Sequence, residues 1–285
     1  MPIFVQRIRS DTPCRILYLL SVVTSAIKIS SRMYSRSMDL ELTGKSAFIG
    51  GGSSGLGLSC ALALAAEGVS VTVVSRDLDK LEEARGVIVS AHPEATVNTV
   101  SADLSSIEGA RGALAEATSK TGGFDILVLN SGGPKPGDVE AISIEDLRTA
   151  LEANFLSMVE LVQGTTSYMK EVGWGRIVAI TSLYVKEPNE HMVLSNSARS
   201  ALTAYLKSAS HTYKDHGITI NTVQPGLHLT DRLLALRNGR LPAEGEHVGD
   251  PGDFGKTVAF LCSAQAKFIN GVSLVVDGGT SRGLQ

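Results

Sequence analysis

The chain has 285 residues, of which 43% are hydrophobic and 19% are charged, and its formal net charge is −3. This length suits one sizeable α/β domain, and the lack of a basic excess argues against nucleic acid as a partner. The three cysteines, Cys14, Cys60 and Cys262, form no C-x-x-C pair, so we expect a reduced, cytoplasmic protein without a metal site.

Residues 1–38 differ in composition from the rest of the chain. They hold six Lys and Arg residues but only one acid, Asp11. The apolar run at residues 16–27 is shorter than the ~20 residues that a membrane span needs, so no membrane span is expected. A signal peptide, a transit peptide and a translated upstream stretch with Met38 as the true start are all compatible with this pattern. We expect residues 1–38 to be an extension and residues 39–285 to form the domain.

The segment from residue 46 to residue 67 predicts a strand, a glycine-rich turn and a helix. Residues 46–49 are apolar, residues 50–57 read GGGSSGLG, and residues 58–67 are strong helix formers. Glycines let the backbone approach a pyrophosphate, and the N-terminus of the next helix offers free N–H groups and positive potential. The turn therefore predicts a dinucleotide site. The residues expected to contact the cofactor here are Gly51, Ser53, Ser54, Gly55, Leu56 and Gly57.

The end of the second predicted strand, residues 70–74, bears on the choice between NADPH and NADH. An acidic residue there would bind the 2′-hydroxyl of the NAD ribose. This chain has Ser75 and Arg76 instead, and a guanidinium can bind the 2′-phosphate of NADP. The alternative is a surface arginine that opens the next helix, with Asp77 partly offsetting its charge. We expect NADPH to be the cofactor, with NAD less favoured.

Strands and helices continue to alternate along the chain. Residues 95–100 predict a strand, residues 107–120 a helix, and residues 124–133 a fully apolar strand that ends in a loop. This alternation predicts a single α/β domain of the Rossmann type, a doubly wound parallel sheet with helices on both faces. Ligands bind beyond the carboxyl ends of such strands. The further residues expected at those ends are Asp103, Leu104, Asn130 and Gly132.

Short motifs later in the chain follow a familiar order. They are LNSG at 129–132, Asn154 in LEANFLSMVELV, Ser182 at the end of GRIVAITS, Pro225, Gly226 and Thr230 in INTVQPGLHLT, and VDGG at 276–279. Together with GGGSSGLG they resemble the short-chain dehydrogenase/reductases, within them the 3-oxoacyl-[acyl-carrier-protein] reductase-like group, over residues 40–281.

The resemblance implies an oxidoreductase that binds a nicotinamide cofactor and a small-molecule carbonyl substrate. It implies that Pro225, Gly226 and Thr230 contact the cofactor, that Ser182 binds the substrate oxygen, and that Asn154 holds a water under the cofactor ribose. It also implies a homo-oligomer, a tetramer or a dimer.

The resemblance breaks at the family's catalytic acid. In the family a tyrosine lies thirteen residues after the active serine, and a lysine lies four residues further on. Counting from Ser182 gives Ser195 and Arg199. A serine hydroxyl is far less acidic than tyrosine, whose reference pKa is about 10, and arginine does not readily exchange its proton. We interpret Ser195 and Arg199 as a pair that binds substrate and cofactor ribose, with the proton supplied from elsewhere.

Three nearby side chains are candidate proton donors. If the chain stays extended after Ser182, Tyr184 and Lys186 share its face, and Lys186 would then lower the pKa of Tyr184. His191 is the third candidate. Each of them is alternatively a solvated loop side chain.

The segment at residues 227–248 is expected to cover the substrate. Leu229, Leu233, Leu234 and Leu236 are predicted to face the cleft, which suits an acyl chain or a hydrophobic ketone, although the same pattern is compatible with helix packing.

Three functions remain open from the sequence. The first is an NADPH-dependent reductase of a carbonyl substrate, such as a 3-oxoacyl thioester, with a relocated or water-borne proton donor. The second is a nucleotide-binding protein with little catalysis, acting as a sensor or an assembly subunit. The third is an enzyme of different chemistry on the same fold, such as a dehydratase or an epimerase.

Overall fold

The computed structural model describes residues 38–283. They contain a seven-stranded sheet in the order β3-β2-β1-β4-β5-β6-β7, and every pair of neighbouring strands is parallel. The strands are β1 Ser46–Gly50, β2 Ser70–Ser75, β3 Val97–Ser101, β4 Ile126–Leu129, β5 Gly175–Ile180, β6 Ile218–Pro225 and β7 Ser273–Val276. The expected doubly wound parallel sheet is thereby confirmed.

Helices connect the strands and cover both faces of the sheet. They are α1 Gly55–Ala66, α2 Leu78–Ala91, α3 Ile107–Thr121, α4 Ile144–Leu151, α5 Ser157–Val172, α6 Val193–Tyr213, α7 Asp231–Leu236 and α8 Pro251–Cys262. A π-helical turn, Glu152–Leu156, joins α4 to α5, and a 3₁₀ turn, Leu183–Val185, follows β5.

The alternation of side chains along β1 divides the core into two layers. Ala47 and Ile49 pack with α1, α2 and α8 on one face, whereas Phe48 packs with α3, α5 and α6 on the other. In register, Ala47 lies opposite Val71 of β2 and opposite Ile126 of β4. Because both faces are covered, the central strands are apolar on both sides, which explains their nearly continuous hydrophobic sequences.

Several helix boundaries follow from local capping chemistry. The Asp77 carboxylate accepts a hydrogen bond from the Lys80 amide at the start of α2, and the Ser106 hydroxyl accepts one from the Gly109 amide at the start of α3. At the other end of α3, Gly122 adopts the left-handed conformation with φ 82°, which favours glycine.

The predicted element boundaries need small corrections. The helix expected from residue 58 begins three residues earlier, at Gly55, because the second half of the glycine-rich turn already adopts helical geometry. The strand expected at 95–100 is Val97–Ser101. The strand expected over 124–133 is Ile126–Leu129, since the chain leaves the ladder at Asn130.

The N-terminal extension predicted at residues 1–38 lies outside the described residues, apart from Met38. Within residues 38–283, no helix combines the length and the apolar character that crossing a membrane requires.

Gly255 allows α8 to pack closely on α1, and this contact generates a stability prediction. A Cβ at Gly255 would overlap the carbonyl of Ser59, so Gly255→Ala should lower the free energy of unfolding by about 1–3 kcal/mol through overpacking. Gly86→Ala is the matched control, because no atom lies within 4 Å of its added Cβ and alanine in a helix gains up to about 1 kcal/mol over glycine. Urea unfolding measures the free energy of unfolding of both variants. Equal stability of Gly255→Ala and Gly86→Ala would contradict the close packing of α8 on α1.

Candidate functional site

A cleft of about 840 Å³ lies beyond the carboxyl ends of the strands. Loops after β1, β2, β3, β4, β5 and β6 contribute to it, as expected for a doubly wound sheet. The predicted site residues that line this cleft are Gly51, Ser53, Ser54, Gly55, Leu56, Ser75, Arg76, Asp103, Leu104, Asn130, Gly132, Asn154, Tyr184, Arg199, Pro225, Gly226 and Thr230. Four predicted residues, Gly57, Ser182, Lys186 and Ser195, are outside the lining.

The glycine-rich turn after β1 has the geometry of a phosphate cradle. Gly51 has φ 56°, and a Cβ there would lie 2.7 Å from the side-chain nitrogen Nδ2 of Asn130. A Cβ at Gly57 would overlap the Gly51 carbonyl. Glycine at this position therefore allows the turn to pack closely, although Gly57 itself does not line the cleft. The first turn of α1 carries no acid, and Ser54 at its N-cap makes no side-chain capping bond. The free N–H groups of this helix end therefore fit a pyrophosphate.

The end of β2 forms a polar corner of the cleft. The Ser53 hydroxyl donates to the Ser75 hydroxyl at 2.8 Å, and Arg76 is exposed beside them. Lys80, which sequence patterns did not single out, also lines this corner. The Asp77 carboxylate accepts from the Lys80 backbone amide at 3.2 Å, so it is engaged in capping α2. Two cations and two hydroxyls at this corner fit a phosphate on the ribose 2′-oxygen.

Asn154 lies in the π-helical turn and is 2% exposed. Its amide donates to the Ala150 carbonyl at 3.3 Å, and its side-chain oxygen accepts from the Ser131 hydroxyl at 3.2 Å. A π-bulge changes the direction of the side chains that follow and is common at functional sites. Here it holds Asn154 at the cleft wall, with its hydrogen bonds directed to the α4 backbone and to the loop after β4.

The chain after β5 does not stay extended, so the predicted shared face of Ser182, Tyr184 and Lys186 is wrong. The Ser182 hydroxyl accepts from the Tyr184 amide at 3.1 Å and starts the 3₁₀ turn. This turn places Tyr184 in the cleft, whereas Lys186 lines a separate groove beside β7. His191 lies outside the cleft, where its imidazole is 3.5 Å from the Glu190 carboxylate. Of the three candidate donors, Tyr184 alone lines the cleft.

Ser195 and Arg199 lie one turn apart on α6, and both are buried. The Nη1 of Arg199 donates to the carbonyls of Ile180 and Thr181, at 2.8 and 2.9 Å. Burial, and secondly the neighbouring charge of Arg232, lower the pKa of Arg199 to about 10. The guanidinium therefore stays charged at neutral pH and supplies positive potential to the cleft.

Arg232 on α7 is, like Lys80, a site residue that sequence patterns did not indicate. It lines the cleft, and its guanidinium donates to the carbonyls of Gly133 and Pro134, at 3.3 and 3.4 Å. Arg232 is an exposed residue, and the partial desolvation of its guanidinium against this loop lowers its pKa. An arginine two residues after Thr230, within an apolar segment, is the only sequence signal that could have indicated it.

The leucines that residues 227–248 contribute to the cleft differ from the expected ones. Leu233 and Leu236 line the cleft as predicted, and so does Leu227. Leu229, which precedes α7, and Leu234, which lies on α7, are outside the lining.

The chain is similar to known proteins over most of its length. The family model for short chain dehydrogenase matches residues 45–240. The NADPH-dependent reductase BacG of Bacillus subtilis (strain 168) is 28% identical over 256 residues, which cover 84% of this chain and 99% of BacG.

Two solved structures are similar over nearly the whole described domain. L-sorbose reductase from Gluconobacter frateurii, in complex with NADPH and L-sorbose, has a TM-score of 0.79 at 27% identity, covering 87% of this chain and 100% of that chain. A 7α-hydroxysteroid dehydrogenase in complex with NADH and 7-oxo glycochenodeoxycholic acid has a TM-score of 0.78 at 29% identity, covering 87% and 98%. The similar proteins thus include binders of both nicotinamide cofactors.

The capping bond of Ser182 generates a prediction for the site. Ser182→Ala removes the acceptor for the Tyr184 amide and should lower the free energy of unfolding by about 0.5–2 kcal/mol, the range for a lost N-cap. For a domain of this size, each 1 kcal/mol lowers Tm by about 2–4 °C. Ser182→Thr keeps the hydroxyl and should stay close to the wild type. A Ser182→Ala variant that melts at the wild-type temperature would show that the turn does not depend on this bond.

Proposed function

The chain belongs to the short-chain dehydrogenase family, and we propose that it is an NADPH-dependent reductase of a small-molecule ketone. One observation carries this proposal: the phosphate cradle after β1 and the group formed by Asn154, Tyr184 and Arg199 line the same cleft. A bound NADPH would supply the hydride, and the protein must position the carbonyl and deliver a proton to the developing alkoxide.

The corner at the end of β2 supports NADPH as the cofactor. Arg76 and Lys80 line it, no acid follows β2 directly, and the Asp77 carboxylate is engaged with the α2 backbone. Among the similar proteins, L-sorbose reductase has been solved with NADPH and 7α-hydroxysteroid dehydrogenase with NADH, so the family alone does not decide between them. The charges of this corner favour the phosphorylated cofactor.

Substitution of Arg76 tests the choice of cofactor. Arg76→Ala should weaken NADPH binding about tenfold to a hundredfold, the effect of one lost charge-assisted contact to phosphate, and leave NADH binding nearly unchanged. Arg85→Ala is the matched control, because Arg85 lies on α2, the helix that follows Arg76, and is outside the cleft. Fluorescence titration of the bound nicotinamide measures both constants. Wild-type protein that binds NADH as tightly as NADPH would contradict the proposal.

We propose that Tyr184 is the proton donor. Within residues 38–283 no other tyrosine lines the cleft, and the 3₁₀ turn started by Ser182 holds this one there. Arg199 lines the same cleft and carries a positive charge. Arg199 also has N–H groups that can donate to ribose hydroxyls. Ser195 is buried one turn earlier on α6 and does not line the cleft.

Replacing the phenol tests this assignment. A positioned general acid contributes roughly 10²–10⁴ in rate, so Tyr184→Phe should lose about that factor in kcat with NADPH affinity unchanged. Tyr205→Phe is the control, since Tyr205 packs edge-on against Phe155, outside the cleft. Steady-state kinetics on a panel of ketones, 3-oxoacyl thioesters included, gives the comparison.

If Tyr184→Phe retains turnover within twofold of the wild type, the donor is another group or water. If NADPH binds but no carbonyl compound is reduced by the wild type, the protein is a nucleotide-binding protein with little catalysis.

A further inference from the structure

Two arginines line the cleft near Tyr184 without an acidic partner. Arg199 comes from α6 and Arg232 from α7, and neither forms an ion pair with any residue between 38 and 283. Their charges repel each other, since Arg232 contributes to lowering the pKa of Arg199. Arg199 is buried whereas Arg232 is exposed, so the unpaired charge of Arg199 in particular is costly in a folded protein unless a ligand neutralises it.

The guanidinium of Arg199 has hydrogen-bonding capacity left over. Both of its bonds to β5 carbonyls, those of Ile180 and Thr181, are made by Nη1. In the described part of the chain, Nε and Nη2 have no acceptor. Because Arg199 lines the cleft, these nitrogens are available to a bound molecule.

Arg232 is held at the cleft by weaker bonds. Its contacts to the Gly133 and Pro134 carbonyls are long, 3.3 and 3.4 Å. The guanidinium occupies the space that a Cβ at residue 133 would take, so the absence of a side chain at Gly133 admits it to the loop after β4. Neutral carbonyls satisfy donors but leave the charge uncompensated.

The acids that line the cleft form no ion pair with either guanidinium group. Asp146 forms an ion pair with Lys135 at 2.6 Å, and this contact together with Ser143 lowers its pKa to about 2. The Asp103 carboxylate accepts from the Ser105 amide. Asp231, next to Arg232 in sequence, is exposed at the start of α7 and forms no ion pair with it.

Other groups of the cleft fit the phosphates of a dinucleotide. The free N-terminus of α1 faces the glycine-rich turn, and Thr230 lies 3.5 Å from the position of a Cβ at Gly55. Arg76 serves the corner after β2. Arg199 and Arg232, in contrast, contact the segments after β5 and β4. Their charge thus lies at the segments after β4 and β5, where it is available to an anionic group of the substrate.

We propose that the substrate is a keto acid, whose carboxylate binds Arg232 and is attracted by Arg199, and whose apolar body packs on Leu227, Leu233 and Leu236. This inference rests on the proposed reduction of a ketone in the same cleft. Arginine matches a carboxylate with two parallel hydrogen bonds, and the three leucines form an apolar wall of the cleft.

A binding experiment tests the anion site without requiring turnover. The enzyme is saturated with NADP⁺ and titrated calorimetrically with 4-phenylbutanoate and with its primary amide, which has the same shape but no charge. The carboxylate should bind about tenfold to a hundredfold tighter than the amide, the size of one or two charge-assisted contacts. Equal affinity for the two compounds, or no measurable binding of either, would overturn the proposal.

Substitutions in residues 227–248 test whether Arg232 causes the preference for the carboxylate. Arg232→Met should remove the preference for the carboxylate, Arg232→Lys should keep part of it, and Arg240→Met should keep all of it, because Arg240 is an exposed arginine of the same segment outside the cleft. NADPH affinity should change less than threefold in each variant. A loss of NADPH affinity in Arg232→Met as large as the loss of carboxylate affinity would show that the charge serves the cofactor's phosphates, and the proposal would be wrong.

Turnover then separates this inference from the proposed function. The wild type should reduce 4-oxo-4-phenylbutanoate with kcat/KM at least tenfold above that of its methyl ester, and Arg232→Met should abolish that ratio. Preferred binding of the carboxylate without reduction of any ketone would retain the anion site and reject the reductase. Equal reduction of acid and ester would retain the reductase and reject the keto acid.

Discussion

The site depends on the reversal of strand order between β1 and β4. From β1 the chain winds through β2 to β3, and then returns to β4 and winds the other way to β7. The loops after β1 and β4 therefore leave the sheet in opposite directions and open a crevice at its carboxyl edge. Asn130 bridges this crevice, because its amide donates to the Gly51 carbonyl at 3.3 Å. This bond fixes the position of the phosphate cradle relative to the carboxyl ends of β4 and β5, where other site residues lie.

A buried cation organises the other end of the cleft. The Nη1 of Arg199 ties α6 to the carbonyls at the end of β5, so the helix and the strand that flank Tyr184 are fixed relative to each other. Burial keeps the guanidinium poorly solvated, which strengthens its field in the cleft. An arginine in this position holds charge without exchanging a proton, which is why we propose a separate side chain as the acid. The 3₁₀ turn started by Ser182 provides a place for such a side chain.

The features that sequence patterns predicted well are those that local chemistry fixes. The glycine-rich turn follows a strand and precedes a helix, so its position in the cleft needed no knowledge of distant contacts. Asn130 and Arg76 directly follow β4 and β2, and parallel strands bring such positions to one edge. The features that were missed depend on how the chain bends. One hydrogen bond, from the Tyr184 amide to Ser182, breaks the period of two on which the expected proximity of Lys186 rested. Arg232 meets Gly133 across 99 residues of sequence, a contact that no local pattern records.

The central proposal is that a cleft with a buried arginine and a phenol on a 3₁₀ turn reduces a ketone. The most direct measurement is a single turnover with stoichiometric NADPH deuterated at C4 of the nicotinamide ring, quenched in acid and analysed by mass spectrometry. Hydride transfer predicts that deuterium from one face of C4 appears on the carbinol carbon of 4-hydroxy-4-phenylbutanoate formed from the corresponding keto acid. Deuterium that remains entirely in the nucleotide, while both ligands are bound at saturation, would contradict it.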